Sequence, residues 1–229
     1  MDKKILEEMI QNAVHFGHRT HKWDPRMRKY IHGEKDGTHL FNLEKTYKGL
    51  DEALKFVSKL VSEGKTILFV STKPQALSVI KDTAKDCNMP YVITRWIPGF
   101  LTNYVTISKR IRYLNDLKEQ EATGEFEKYT KKEALQLKKT IAKLETSLGG
   151  VQEITRVPDA VFLIDCVRDN IVVKEANKKK IPVVSIVDTN ANPEEITYPI
   201  PGNDDAIKSI KYLIGKIADV IKQSKKSTK

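Results

Sequence analysis

The stretch "AVFLIDC", residues 160–166, decides the fold of this chain, because nearly every side chain in it is apolar. Two more runs have the same character, "TILFVST" at 66–72 and "PVVSIVDT" at 182–189, and "PYVITRW" at 90–96 is a fourth candidate. Short, unbroken apolar runs rich in β-branched residues are typical of strands covered on both faces. This is the arrangement of a parallel sheet.

Segments with helical patterns separate these runs. "KPQALSVIKDTAKDC" follows the first run with Pro74 in its first turn, "DNIVVKEANKKK" follows the third run in chain order, and "NDDAIKSIKYLIGKIADVIKQ" lies near the C-terminus. Alternation of strand and helix predicts a doubly wound α/β fold. Ahead of the sheet, the sequence predicts an amphipathic helix over 1–18, a β-hairpin over 29–42 around Asp36-Gly37, and a helix over 42–65 that Gly64 ends.

Residues 103–148 break the α/β pattern, since nothing in them resembles a strand. Two sets of apolar side chains repeat there at spacings of three and four, namely Tyr104, Ile107, Ile111 and Leu114, and then Ala134, Leu137, Ile141, Leu144 and Leu148. Such spacing is typical of heptad seams. Gly124 should end the first helix, and Thr130 with Glu133 offers a capping box for the second. We therefore predict a protruding antiparallel coiled-coil hairpin, inserted into an α/β domain of residues 1–102 and 149–222, with 223–229 as a basic tail.

The composition limits the class of protein. The chain has 40 Lys and Arg against 30 Asp and Glu, a formal charge of +10 and a pI near 9.4, which favours polyanionic partners. Cys87 and Cys166 fit buried, reduced thiols of a cytosolic protein. The N-terminal segment resembles neither a signal nor a transit peptide, and no apolar run approaches the roughly 20 residues of a membrane helix. We expect a protein of the cytoplasm, or of an organelle that encodes it.

Enzymatic motifs are missing at the predicted strand ends. No glycine-rich phosphate loop follows the first strand, there is no Gly-x-Ser-x-Gly elbow, and all five histidines precede residue 40. A metal site stays open, because His15, His18 and His21 follow one another at three-residue intervals. Asp188, Asp204 and Asp205 are expected near sheet ends that could face them and could complete a set with His18 for zinc or magnesium. The alternative hypothesis is thus a metal- or nucleotide-dependent α/β enzyme that uses His18 and Asp188.

Positive charge is concentrated in a few segments, as phosphate contacts require. The loop "GHRTHKWDPRMRKYIHG", residues 17–33, is the densest, and Trp23 within it is expected to anchor the loop. The predicted RNA-binding residues are Arg19, Lys22, Arg26, Arg28, Lys29, Lys73, Arg95, Lys109, Arg110, Lys131, Lys132, Lys208 and Lys211. Their spread favours contact with a folded RNA through phosphate and shape rather than base reading by one helix.

Consecutive blocks of the chain also resemble a known family, the bacterial form of small-subunit ribosomal protein two. The blocks are "VHFGHRTHKWDPRMRKYIHG", "HLFNLEKT", "ILFVSTK", "RWIPGFLTNY", "YTKKEALQL", "KLETSLGG", "PDAVFLID", "KEANKKKIPVVSIVDTNANP" and "IPGNDDAIKSI". They run in order from about residue 13 to residue 211. Two departures stand out: Ile97-Pro98-Gly99 replaces the Gly-Gly that relatives often carry after the tryptophan, and the chain ends in lysines instead of a long acidic extension.

The resemblance implies a flavodoxin-like α/β domain with a protruding coiled-coil hairpin. It also implies a non-enzymatic structural protein between the head and body of the small ribosomal subunit, in contact with small-subunit ribosomal RNA. Its expected partners are other small-subunit proteins, including ribosomal protein one, which it would help to dock. No membrane, small-molecule substrate or required cofactor is expected.

Overall fold

The computed structural model describes residues 3–227 of the chain. Its α-helices are α1 (Lys3–Gln11), α2 (Leu43–Ser62), α3 (Leu77–Asp86), α4 (Tyr104–Ala122), α5 (Lys131–Leu148), α6 (Asn170–Lys178) and α7 (Ile207–Ser227). Its strands are β1 (Phe16–Arg19), β2 (Ile31–Lys35), β3 (Thr38–Phe41), β4 (Ile67–Val70), β5 (Tyr91–Val92), β6 (Ala160–Ile164), β7 (Val183–Val187) and β8 (Tyr198–Pro201).

The main sheet has five parallel strands in the order β5-β4-β6-β7-β8. Numbered within the sheet, this is the order 2-1-3-4-5 of flavodoxin-like folds, whose ligand crevice lies where the order reverses, between β4 and β6. The predicted fold class is therefore confirmed, and the carboxyl ends of β4, β6 and β7 meet at one edge of the sheet.

The main sheet is covered by helices on both faces, which explains why its strands are apolar without alternation. Every residue of β4, β6 and β7 is buried. One face, with Phe69 and Phe162, packs against α2, α3 and α7, and the other, with Leu68 and Leu163, packs against α6 and the base of the helical hairpin. Side chains therefore divide between two hydrophobic layers.

A small antiparallel sheet in the order β1-β3-β2 precedes the main sheet. The predicted β-hairpin is confirmed, and its turn residues Asp36 and Gly37 have φ of 51° and 72°, as a two-residue turn of the mirror-image type requires. Strand β1 was expected to be helical. The first helix instead ends at Gln11, since Ala13 adopts a left-handed backbone with φ of 58° and the chain then extends into the sheet.

Helices α4 and α5 form an antiparallel pair. Lys118 on α4 pairs with Glu145 on α5, and Glu121, further along α4, pairs with Lys138, which comes earlier on α5. The two helices therefore run in opposite directions. The predicted seam lies inside, where Ile107, Ile111, Leu114, Ile141 and Leu148 are buried. Gly124 has φ of 75° after the first helix, and the capping box of Thr130 and Glu133 is present. A supercoiled geometry for this pair stays a prediction.

Several boundaries differ from the expected ones. Strand β5 has two residues rather than seven, and α3 begins at Leu77 because Pro74 lies in a turn ahead of it. Strand β8 was not predicted, since its sequence "YPIP" holds two prolines. Helix α7 continues to Ser227, past the expected start of the tail at 223, whereas residues 1, 2, 228 and 229 lie outside the described part of the chain.

The two cysteines are buried and unpaired, as predicted. Burial raises the pKa of the Cys166 thiol to about 12 and raises that of Cys87 as well, so both thiols stay protonated. Within residues 3–227, none of the helices combines the length and the apolar character that crossing a bilayer requires.

Candidate nucleic-acid interface and ion site

A cluster of charged side chains lies where the strands of the main sheet end. Four strands of the main sheet contribute to it: Lys73 comes after β4, Asp165 after β6, Asp188 after β7, and Asp204 and Asp205 after β8. His18 enters from β1 of the small sheet. We call these six residues the acidic cluster. It lies beside the point where the strand order reverses, which is where this fold places its ligands.

Lys73 lies at the centre of the acidic cluster. Its Nζ is 2.6 Å from Asp204 Oδ1, 2.6 Å from Asp205 Oδ1 and 3.4 Å from Asp165 Oδ2, and the residue is only 5% exposed. Burial alone would lower the pKa of Lys73, but attraction to Asp204 and the other carboxylates outweighs burial and raises it. The ammonium group of Lys73 is thus enclosed by carboxylates, and its contact with RNA stays a prediction that this geometry does not favour.

His18 connects β1 to the acidic cluster. Its Nδ1 lies 3.0 Å from Asp188 Oδ1 and its Nε2 lies 3.4 Å from Asp205 Oδ2. Its backbone N–H donates to Thr189 Oγ1 at 2.9 Å, and a Cβ on the preceding Gly17 would lie 2.6 Å from Thr189 Cγ2, so glycine permits this approach. The contact with Asp188 raises the pKa of His18 to about 9 against the opposing effect of burial. His18 is thus cationic near neutral pH.

The acidic cluster carries more negative than positive charge. Burial raises the pKa of Asp204 to about 8, and repulsion from Asp188 adds to the effect. Four carboxylates face one ammonium and one imidazole, which leaves a formal charge of −2 when all are ionised. Ligand atoms of His18, Asp188 and Asp204 lie within 4.8 Å of one another, a spacing that one ion could span. A nitrogen and carboxylate oxygens suit zinc, whereas the carboxylates alone suit magnesium.

The sequence-predicted ligand set is therefore largely brought together. Asp188 and Asp204 are 1% exposed and rigidly held, since the N–H of Asp204 donates to Asp188 Oδ2 at 3.3 Å. Asp205 is more exposed and binds Lys73 and His18 from the solvent side. His15 and His21 do not belong to the three-residue group that could hold an ion within the described residues.

The opening loop, residues 19–30, presents its cations outward. Arg19, Lys22, Arg26, Arg28 and Lys29 are all exposed. Arg26 folds back on Asp24 with Nε and Nη2 at 2.9 and 2.7 Å from the carboxylate, while the other four form no ion pair within residues 3–227. Their charge is available to a partner outside the chain.

Two apolar side chains hold this loop in place. Met27 is fully buried and had not been singled out from the sequence, although it is the one aliphatic side chain among the loop's cations. Trp23 is half-buried, with its ring centroid 5.3 Å from that of His39, in agreement with its expected anchoring role.

The remaining predicted cations lie on separate surfaces. All of them are exposed: Arg95 follows β5, Lys109, Arg110, Lys131 and Lys132 lie on the helical hairpin, and Lys208 and Lys211 lie on α7. Of the thirteen predicted residues, only Lys73 and Arg26 form ion pairs in the described part of the chain. The structure thus separates eleven outward, unpaired cations from two that are engaged internally.

Glu175 on α6 has a structural role that sequence reasoning missed. Its Oε1 accepts from Trp96 Nε1 at 3.0 Å and the Gly99 N–H at 2.7 Å, and its Oε2 accepts from the Leu101 N–H at 3.0 Å and from the N–H and Oγ1 of Thr102 at 3.2 Å. Burial would raise the pKa of Glu175, but these donors lower it. One buried carboxylate therefore fixes the loop that leads into α4. The only signal was an acid among the buried positions of a helix.

Comparison with known proteins identifies the family of the chain. The family model described as ribosomal protein S2 matches residues 9–224. The "Small ribosomal subunit protein uS2" of Dictyoglomus thermophilum is 47% identical over 221 residues, covering 96% of this chain and 90% of the relative. The proteins of the same name from Francisella philomiragia and Dehalococcoides mccartyi strain CBDB1 are 48% and 42% identical, over 95% and 98% of this chain and 91% of each relative. Matches of this extent and identity establish that the chain belongs to the ribosomal protein S2 family.

Proposed function

We propose that this chain is a structural constituent of the small ribosomal subunit that binds small-subunit ribosomal RNA without catalysing a reaction. One observation carries the proposal: the eleven predicted cations that point outward form no ion pair within residues 3–227. They are distributed over the opening loop, the helical hairpin and α7, as broad contact with phosphates would require. Membership of the ribosomal protein S2 family supports the identity of the RNA.

The proposed place of the chain is the junction of head and body in cytoplasmic ribosomes. There it contacts other small-subunit proteins and helps to dock ribosomal protein one. Neither a membrane nor a small-molecule substrate takes part. Support comes from the family, whose relatives are named as small-subunit proteins.

Co-sedimentation with small subunits tests the proposal directly. Binding to the subunits, and to their purified RNA, should weaken steeply as salt rises, since each neutralised phosphate releases counterions. The protein should be recovered with small subunits at moderate salt. Its absence from them, or RNA affinity that does not change with salt, would contradict the proposal.

A triple variant tests the opening loop. Replacing Arg26, Arg28 and Lys29 together by Ala should reduce co-sedimentation while leaving the fold intact, because exposed cations contribute little to folding. The matched control replaces Lys174, Lys178 and Lys179, which are exposed on or just after α6 and lie outside the predicted set. Equal losses in the two variants would mean that net charge alone, and not the opening loop, governs binding.

We further propose that a structural divalent cation, zinc or magnesium, binds His18, Asp188 and Asp204, with Asp205 at the rim. Two observations support this: the acidic cluster has a net negative formal charge, and the ligand atoms of His18, Asp188 and Asp204 lie within 4.8 Å of one another. Metal analysis of the purified protein should find about one ion per chain, following from a single site, and His18→Ala should lower that occupancy. A metal-free preparation that gains no thermal stability from added zinc or magnesium would rule out the site.

A further inference from the structure

A cleft lies where the helical hairpin joins the main sheet. It has a volume of about 750 Å³, and its apolar lining includes Ile97, Pro98, Leu144 and Trp96, of which Trp96 is only 5% exposed. Four cations line it as well, Arg95, Arg110, Lys139 and Lys143. We call this feature the hairpin cleft, its apolar lining residues the floor and its four cations the rim.

The cations of the hairpin cleft are uncompensated. All four side chains are exposed, no carboxylate lines the cleft, and within residues 3–227 none of the four lies in an ion pair. Two other lysines on the same helices are neutralised, since Lys118 pairs with Glu145 and Lys138 with Glu121, whereas Lys109, Lys131 and Lys132, outside the cleft, form no ion pair in the described part of the chain. The cleft is distinguished by four unpaired cations beside an apolar surface, which concentrate a positive potential there.

The hairpin cleft continues toward the edge of the main sheet. A second depression of about 420 Å³ shares Arg95, Trp96 and Pro98 with it and reaches Thr72 and Arg168. Arg168 is exposed, and its Nε donates to Thr72 Oγ1 at 2.9 Å, which orients the guanidinium beside the carboxyl ends of β4 and β6. Asp169 also lines this depression, but its carboxylate accepts from the N–H and the hydroxyl of Thr72, both at 2.9 Å. Arg95 and Arg168 thus extend the positive lining toward the point where the strand order reverses.

We propose that the hairpin cleft binds a single-stranded segment of RNA, with an unstacked base on the floor and its flanking phosphates on the cationic rim. Unpaired nucleotides can expose a base face, whereas a duplex keeps its bases stacked and offers only phosphates and its shallow groove. An apolar floor beside a cationic rim suits the first arrangement, because the face of a base packs on Ile97, Pro98 and Leu144 while its phosphates meet the cations. The inference rests on the proposed RNA-binding function and assigns part of it to three residues outside the predicted RNA-binding set, Lys139, Lys143 and Arg168.

Two double variants with equal loss of charge test the inference. The cleft variant carries Lys139→Gln and Lys143→Gln, and the control carries Lys118→Gln and Lys138→Gln, which removes two paired lysines from the same helices. Affinity for purified, protein-free small-subunit ribosomal RNA is measured across a salt series. The logarithmic salt slope should become shallower by about 1.4 in the cleft variant, at about 0.7 for each lost phosphate contact on single-stranded RNA. The slope of the control should stay close to that of the native chain.

Chemical probing of the same complexes identifies the form of RNA that is bound. The native chain and the control should protect the base of at least one unpaired nucleotide that the cleft variant leaves reactive. Equal slopes for the two variants, or protection confined to duplex positions, would overturn the inference. The cleft variant could also bind the purified RNA as the native chain does and yet fail to co-sediment with complete subunits. That result would assign the cleft to an acidic protein segment and would overturn the inference as well. Failure of the native chain to bind the RNA would instead refute the proposed function.

Discussion

Replacing Glu175 by Gln should destabilise the fold far more than its single-atom change suggests. Each carboxylate oxygen accepts at least two hydrogen bonds, and four of the five donors belong to the backbone or hydroxyl of the lead-in loop, residues 96–102. A glutamine keeps one acceptor and places an NH₂ group against the donors that faced the other oxygen. At least two donors, each buried or partly buried, are then unsatisfied, at about 1–3 kcal/mol each, so we expect a loss of about 2–6 kcal/mol.

Urea unfolding followed by circular dichroism measures this loss. The transition midpoint should fall at an unchanged slope, which is how a pure change in stability behaves. Glu153→Gln is the matched control, because Glu153 is exposed, and its effect should stay within about 0.5 kcal/mol. A Glu175→Gln variant as stable as the control would refute the idea that this carboxylate fixes the lead-in loop.

The same carboxylate predicts a dependence on pH. The folded-state pKa of Glu175 lies below its ordinary value of 4.5, so the folded chain holds fewer protons at this site than the unfolded chain in that range. Its contribution to stability is fully present above pH 4.5 and is lost as the pH falls through the folded-state pKa. The stability difference between the native chain and Glu175→Gln should therefore shrink in acid. A difference that grew on acidification would contradict the sign of this shift.

Three further predictions concern other parts of the chain. Gly150→Ala should destabilise the fold by about 1–3 kcal/mol, because the added Cβ would lie 2.2 Å from the carbonyl oxygen of Tyr91. Gly215→Ala, in the open middle of α7, should instead stabilise it by about 0.5–1 kcal/mol. Thermal melts of the two variants should shift in opposite directions, and shifts of equal sign would contradict this prediction. Ile141→Ala should cost about 2–4 kcal/mol in urea unfolding because it empties a buried seam position, and a loss below about 1 kcal/mol would place that side chain outside the seam. Lys73→Met should lower the free energy of unfolding by about 3–5 kcal/mol at neutral pH, because it leaves buried carboxylates unpaired, and added zinc should restore part of the lost stability. A melting temperature equal to that of the native chain would mean that the ammonium group is not needed.

The α/β core and the helical hairpin could be predicted because their signals are local. Continuous apolar runs marked β4, β6 and β7, and spacings of three and four marked the seam of α4 and α5. Strands β1 and β8 carried no such signal. β1 contains a glycine and two cations, and β8 contains two prolines, so each is a strand only because a neighbouring strand is there to pair with it.

Most residues of the acidic cluster could be predicted from the sequence, but the way they pair with one another could not. Side chains at the ends of parallel strands must meet at one edge, which placed Asp165 near Asp188 in advance, whereas the strand that brings Asp204 there, β8, was not predicted. The sequence could not show that Lys73 turns inward, because a lysine after a strand is ordinarily solvated and only the convergence of three carboxylates makes burial favourable. Glu175 escaped notice for the same reason, since its partners lie more than seventy residues away.

The prolines of β8 also protect the chain against self-association through the edge of its main sheet. β8 is an outer strand, and the N–H of the following Gly202 donates inward to Val187 at 3.1 Å. Backbone groups alternate in direction along a strand, so Pro199 and Pro201 occupy the positions that face outward, where neither can donate to an added strand. The opposite border, β5, is only two residues long. Both borders of the main sheet thereby hinder copies of this basic chain from joining one another by sheet extension.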